Sequence, residues 1–174
     1  EFGARGEPWP TKPRIVASYV EESISGTATA ATCTVTTLEP ERTFWEKATL
    51  LHALHHGTLA KPEKPVERLS RHAYDLHRMW ERNELRSTVL ASPALLHAVV
   101  RNKTVFFKDQ KARYELVASF TLNSAPHPQL EARLREDYAA MAEMFFPNST
   151  VPAFDALLAT LRELDATVAA WMVR

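Results

Sequence analysis

The chain has 174 residues, of which 45% are apolar and 24% charged, the proportions of an ordinary globular protein and not of a disordered or collagen-like one. Twenty-one Lys plus Arg balance 21 Asp plus Glu, so no global field draws the chain to nucleic acid or anionic lipid, and any polyanion site must be local. The single cysteine, Cys33, excludes a disulfide framework and a cysteine-ligated zinc site and fits a reducing cytoplasm, and no apolar run approaches the roughly 20 residues of a membrane span.

The chain starts at Glu1 without an initiator Met, which reads as a fragment, a processed product or a cloned segment. Residues 1–6 can end a strand, and 7–13 carry too many prolines for a helix. Residues 15–24 favour neither state. Thr27 to Leu38, rich in Thr and Val, reads as a strand. All four glycines lie in the first third, leaving little material for the turns of an all-β protein, and the pattern changes near residue 40.

From Pro40 the spacing is helical. A first helix is expected over 41–56, with Pro40 near its first turn and Gly57 as its stop. A linker over 59–65 leads to a second helix over 66–83 and a third over 93–107. The loose alternation of 114–122 reads as extended. A fourth helix over 128–146 (Leu130, Leu134, Tyr138, Met141, Phe145) and a fifth over 152–172 (Phe154, Leu157, Leu161, Leu164, Val168, Trp171) carry apolar stripes at spacings of three and four, which is core packing. The expected fold is α+β and predominantly α: a short strand-bearing region over 1–39, then a bundle of about five helices over 40–174.

Two lysines interrupt apolar stripes. Lys47 falls among Phe44, Leu50, Leu51 and Leu54, and Lys103 among Leu95, Leu96, Val99, Phe106 and Phe107. A buried ammonium is costly unless paired, so each either snorkels to water, meets a structural carboxylate or faces an anionic ligand. Two in one helical region call for a shared partner. The second helix buries Leu69, Ala73, Leu76 and Trp80 and carries Arg68, Arg71, Asp75, Arg78 and Arg82 on the other side. That stripe either receives phosphates or is a solvated face with Asp75 paired to Arg71 or Arg78. His52, His55, His56, His72 and His77 cluster in the first two helices, but the H-E-x-x-H glutamate and the cysteine ligands of common zinc sites are missing.

The string Leu38-Glu-Pro-Glu-Arg-Thr-Phe-Trp-Glu-Lys-Ala48, followed by Arg68-Leu-Ser-Arg-His-Ala-Tyr-Asp-Leu76, resembles the two C-terminal motifs of the AbiEii/AbiGii toxin family of nucleotidyltransferases, found in bacterial abortive-infection and toxin–antitoxin systems. The opening EFGARGEP, the HAVVRNKTVFF segment and the last two helices also resemble that family. The resemblance implies a polymerase-β-like transferase whose N-terminal sheet presents a Gly-Ser motif and a paired Asp-x-Asp holding Mg²⁺ and a nucleoside triphosphate. It implies Lys47 as the lysine that contacts nucleotide phosphates, Asp75 as an active-site carboxylate and Glu1 as a further one; Lys103, from its place in the apolar stripe, and Arg71, from the arginine stripe, are read as additional nucleotide contacts. His72 stands where the family often has an aspartate and is not carried over.

No Gly-Ser followed by paired carboxylates occurs in the sequence, so no metal ligand is assigned and this chain alone is expected to lack transferase activity. Implied partners are an antitoxin, a nucleotide and RNA as acceptor, with self-association through exposed apolar surface as one outcome. The competing expectation is a non-catalytic helical module that holds an antitoxin or another subunit.

Overall fold

The structure is a computed structural model and describes residues 7, 9–17, 32–63, 65–145 and 148–173. Strand β1 (Thr11–Val16) pairs antiparallel with β2 (Cys33–Leu38), Thr11 opposite Leu38 and Val16 opposite Cys33. The proline-rich opening thus becomes a strand. It tolerates Pro13 because a strand in a two-stranded ribbon has an edge that needs no N–H donor. The expected strand over 27–38 is found over its last six residues; 27–31 and Glu1 lie outside the described residues.

Among the described residues seven α-helices follow: α1 (Pro40–Ala60), α2 (Ser70–Trp80), α3 (Asn83–Leu90), α4 (Ala94–Phe106), α5 (Tyr114–Ala118), α6 (Pro128–Ala140) and α7 (Phe154–Ala169). The described fold is therefore α+β and predominantly α. Pro40 opens α1, where its missing N–H is no loss. Gly57 does not stop that helix. It continues to Ala60, and Lys61 leaves helical geometry at φ −145°, ψ 81°, as expected of the residue before Pro62.

The second expected helix divides. α2 starts at Ser70 because Arg68 sits in the left-handed region at φ 54°, and it ends at Trp80, with Arg82 extended (ψ 99°) ahead of α3. A carboxylate from another helix caps α2: Asp137 on α6 accepts from the Arg68 N–H (2.5 Å), the Ser70 N–H (2.8 Å) and the Ser70 hydroxyl (2.5 Å). The segment expected as extended over 114–122 forms the short helix α5. The fourth and fifth helices end sooner than expected and tighten into 3₁₀ turns, Met141–Met144 and Ala170–Val173.

The core centres on α1. Trp45, Ala48 and Leu51 of α1 are buried with Leu76 of α2, Leu96 and Val99 of α4, Leu130 and Leu134 of α6, and Leu157, Leu161 and Leu164 of α7. Trp45 takes the place expected for Leu50 in the buried stripe: Trp45 is fully buried and Leu50 only half-buried. The ribbon joins the bundle through polar contacts. The Glu39 N–H donates to the Pro10 carbonyl (2.9 Å), and buried Arg42 donates to the Trp9 carbonyl (3.0 Å) and to Glu7 (3.2 Å).

Candidate functional site: a cationic pocket between the first two long helices

α1 and α2 lie against each other, which brings Lys47 and Asp75 together across a sequence separation of 28 residues. The Lys47 ammonium donates to Asp75 Oδ2 at 2.7 Å, with the side chains 22% and 39% exposed. Asp75 therefore pairs with neither Arg71 nor Arg78 of its own helix. The pair lines an open pocket of about 390 Å³ together with Arg78 and Arg82, and Met79 and Leu85 provide apolar wall. Arg78 also donates to Glu81 at 2.7 Å. Three cations thus converge on a hollow whose wall holds one carboxylate, and an exposed ion pair of this kind adds only about 0–1 kcal/mol to stability.

Lys103 has a different environment. It is 7% exposed, and its ammonium lies 3.2 Å from Glu46 Oε2 and donates to the Glu46 carbonyl oxygen at 2.9 Å. Glu46 also receives buried Arg42 at 3.1 Å. The shared partner expected for the two lysines does not exist: Lys47 takes Asp75, and Lys103 takes Glu46. Burial lowers the Lys103 pKa, and Glu46 works against that shift.

His72 stands on α2 three residues before Asp75. Its pKa falls to about 4, chiefly through burial and then through the positive charges of Lys47 and Arg71, so its imidazole is neutral at pH 7. Arg71 itself is exposed and does not line the pocket. The residues that sequence reasoning did not assign to a site are Arg78, Arg82 and Glu46. Arg78 and Arg82 were visible as members of the arginine stripe, and Glu46 as the i+4 neighbour of Arg42.

His52, His55, His56 and His127 form one cluster that holds the fold together. The His52 ring lies 4.6 Å from His56, and His55 lies 4.9 Å from His56 and 5.2 Å from His127. His52 Nδ1 accepts from the Asn123 N–H at 3.0 Å, which leaves Nε2–H to donate to the Arg113 carbonyl at 3.2 Å. His55 Nδ1–H donates to the Ala125 carbonyl at 2.9 Å, and His56 meets the Asn123 amide oxygen at 3.0 Å. These rings pin the segment between α5 and α6 to α1. Burial lowers the His52 pKa to about 4 and lowers those of His55 and His127. Among the described residues no group of three or more His, Cys, Asp or Glu is placed to hold a metal ion.

Among the described residues no helix is long and apolar enough to cross a membrane. No curated protein and no solved structure matches the chain. A family model does, that of the nucleotidyl transferase AbiEii toxin of type IV toxin–antitoxin systems, over residues 1–160. Since that match covers most of its length, the chain belongs to the AbiEii nucleotidyl transferase toxin family.

Proposed function

We propose that the pocket between α1 and α2 binds the phosphates of a nucleoside triphosphate in a toxin that transfers the nucleotide to an acceptor such as RNA, and that an antitoxin opposes it in the cytoplasm. The observation that carries this reading is the 2.7 Å Lys47–Asp75 pair in an open hollow rimmed by Arg78 and Arg82. The Lys47 ammonium is a compact charge for one phosphate oxygen, and the two guanidiniums offer planar paired donors for others. Asp75 orients Lys47, so the ammonium arrives at the phosphate already placed. Lys103, buried on Glu46, supports the wall of the site through α1, and Arg71 adds positive potential at its edge.

Mg²⁺ is the expected companion of the nucleotide in the intact toxin. Asp75 is the single carboxylate in this pocket, and Mg²⁺ requires several oxygen ligands. The described residues do not form a protein-held Mg²⁺ site, and the role given to them is to bind and orient phosphates. Because its sequence holds no Gly-Ser followed by paired carboxylates, we propose that the 174-residue chain is inactive by itself, and Mg²⁺-dependent transfer of labelled nucleotide by it would refute that statement.

In the complete toxin, Lys47→Ala and Asp75→Ala each abolish toxicity or nucleotide transfer while the thermal midpoint stays within a few degrees. Full activity of either variant removes that residue from the site. Arg78→Ala and Arg82→Ala each weaken nucleotide binding about tenfold, the loss of one charge-assisted contact.

A second reading, an antitoxin- or subunit-binding module, is favoured by one observation. Val105, Phe106 and Phe107 are consecutive and each about half exposed, and Val105 and Phe107 border a groove of about 690 Å³ between α4 and α5. An apolar run of this kind is an expected place for a protein partner or a second copy.

A further inference from the structure

Val100, Val105, Phe107, Tyr114 and Ala118 give the groove of about 690 Å³ between α4 and α5 an apolar lining. The last turn of α4 is fixed in place beside it. Buried Lys103 donates to the Glu46 carbonyl of α1 at 2.9 Å, and the Phe107 N–H donates to the Lys103 carbonyl at 2.8 Å. Phe107 is thus held on a pinned turn and is still 45% exposed, so little ordering is needed when a partner covers it.

The charges of the lining are unequal. Its two carboxylates are engaged close by: Asp109 accepts from the Lys111 N–H at 2.9 Å, and Glu115 pairs with Arg113. Its two cations, the exposed Arg101 and Lys108, have no carboxylate partner among the described residues. An apolar hollow is edged by positive charge that nothing within the described chain balances.

We infer that this groove receives the apolar face of an amphipathic helix whose flanks carry Asp or Glu, presented by a protein partner. The inference rests on the second reading, that of a partner-binding module, and specifies the partner's chemistry. Apolar side chains at spacings of three and four fill an apolar groove, and carboxylates on the flanks meet Arg101 and Lys108. A second copy docked through the same face would set those cations against their own counterparts. A small amphipathic acid held in the groove would leave Phe106 bare, because Phe106 is 52% exposed and lies outside the lining. An anionic lipid surface would cover Phe106 and attract the cations, but a flat surface leaves the hollow unfilled.

The test measures the fluorescence anisotropy of labelled synthetic peptides of about 18 residues, five helical turns, titrated with the full chain. One peptide carries leucines on a single helical face flanked by glutamates. Its twin replaces the glutamates with lysines, and a third has the first composition in scrambled order. The glutamate peptide binds saturably and at least about tenfold tighter than the lysine peptide, and the scrambled one does not bind. Phe107→Ser weakens binding about tenfold while the thermal midpoint stays within a few degrees. Reversing the rim with Arg101→Glu and Lys108→Glu, both at exposed positions, inverts the preference between the two peptides. The inference is overturned if the reversal leaves the preference unchanged, if Phe107→Ser binds as the unmodified chain does, if the chain self-associates through Phe107 in sedimentation, or if phosphatidylglycerol vesicles bind it and the peptides do not. A lysine peptide that binds more tightly through Phe107 overturns the acidic flanks and leaves the partner-binding reading in place; if neither peptide binds, both fall.

Discussion

Lys47 and Lys103 belong to the same small region of the bundle and interrupt similar apolar stripes, yet their fates differ. Lys103 is shut in, and its charge is consumed within the protein by Glu46, which also holds Arg42. Lys47 meets its carboxylate at the edge of an open hollow that contains two more cations. A buried lysine satisfied on all sides is structure; one held by a single half-exposed carboxylate at the edge of an open hollow is the one that a ligand can reach, as the proposed function requires. Burial and the count of nearby opposite charges, more than position in a stripe, separate the two.

That contrast can be broken at several points. The largest loss of stability is expected from Glu46→Ala, which strips the carboxylate from two buried cations at once. Breaking a buried ion pair costs about 3–5 kcal/mol, and urea unfolding should show a loss of that order. Lys103→Met, which fills the same space without a charge, should be milder, because the Glu46 carboxylate left behind is partly exposed and keeps Arg42 as its partner, so no buried charge is stranded.

Acid should act next. His52 has a folded pKa of about 4 against its ordinary 6.5, so its contribution is fully present above 6.5 and is lost as the pH falls toward 4. That shift corresponds to about 3 kcal/mol. His72 contributes in the same direction over the same window. Asp165 works in the opposite sense. Burial raises its carboxyl to about 6 despite the hydrogen bonds it accepts from Ser124 and Ala125, so its contribution is present below about 3.8 and is lost as the pH rises through 6. Stability measured by urea unfolding should therefore fall from pH 6.5 to 4, more steeply in Asp165→Asn and less steeply in His52→Asn.

The smallest effect on stability is expected at the open pair. Lys47→Ala or Asp75→Ala should move unfolding by no more than about 1 kcal/mol, while nucleotide transfer by the complete toxin disappears. A loss as large as that of Glu46→Ala would place Lys47 with Lys103 as a structural lysine.

Long periodic segments were the most legible part of the sequence: the stripes of α6 and α7 name residues that are buried in the structure, among them Leu130, Leu134, Leu157, Leu161 and Leu164. The break between α2 and α3 was not legible, because Glu81 and Arg82 carry no Gly or Pro and the turn depends on tertiary packing. Nor was the cap on α2. It comes from Asp137, 67 residues away from Ser70, and only the packed fold brings it there. At the site, Lys47 and Asp75 were legible through the family motifs and lie in contact. The partition of the lysines between Asp75 and Glu46 was not, because adjacent residues of one helix point to different neighbours and the sequence does not say which helix faces which side. Arg71 and Arg82 belong to one expected stripe, but the end of α2 before Arg82 brings only the latter to the pocket.

The grouping of Lys47, Arg78 and Arg82 around one hollow has a practical consequence for the proposed function. If that patch binds triphosphate oxygens by charge, it also takes up inorganic phosphate or sulfate, so buffers containing those ions should compete with the nucleotide and raise its apparent dissociation constant. Affinities measured in a bulky zwitterionic buffer at low ionic strength should be tighter, and the gap between the two conditions is itself a measure of how strongly those three cations act together.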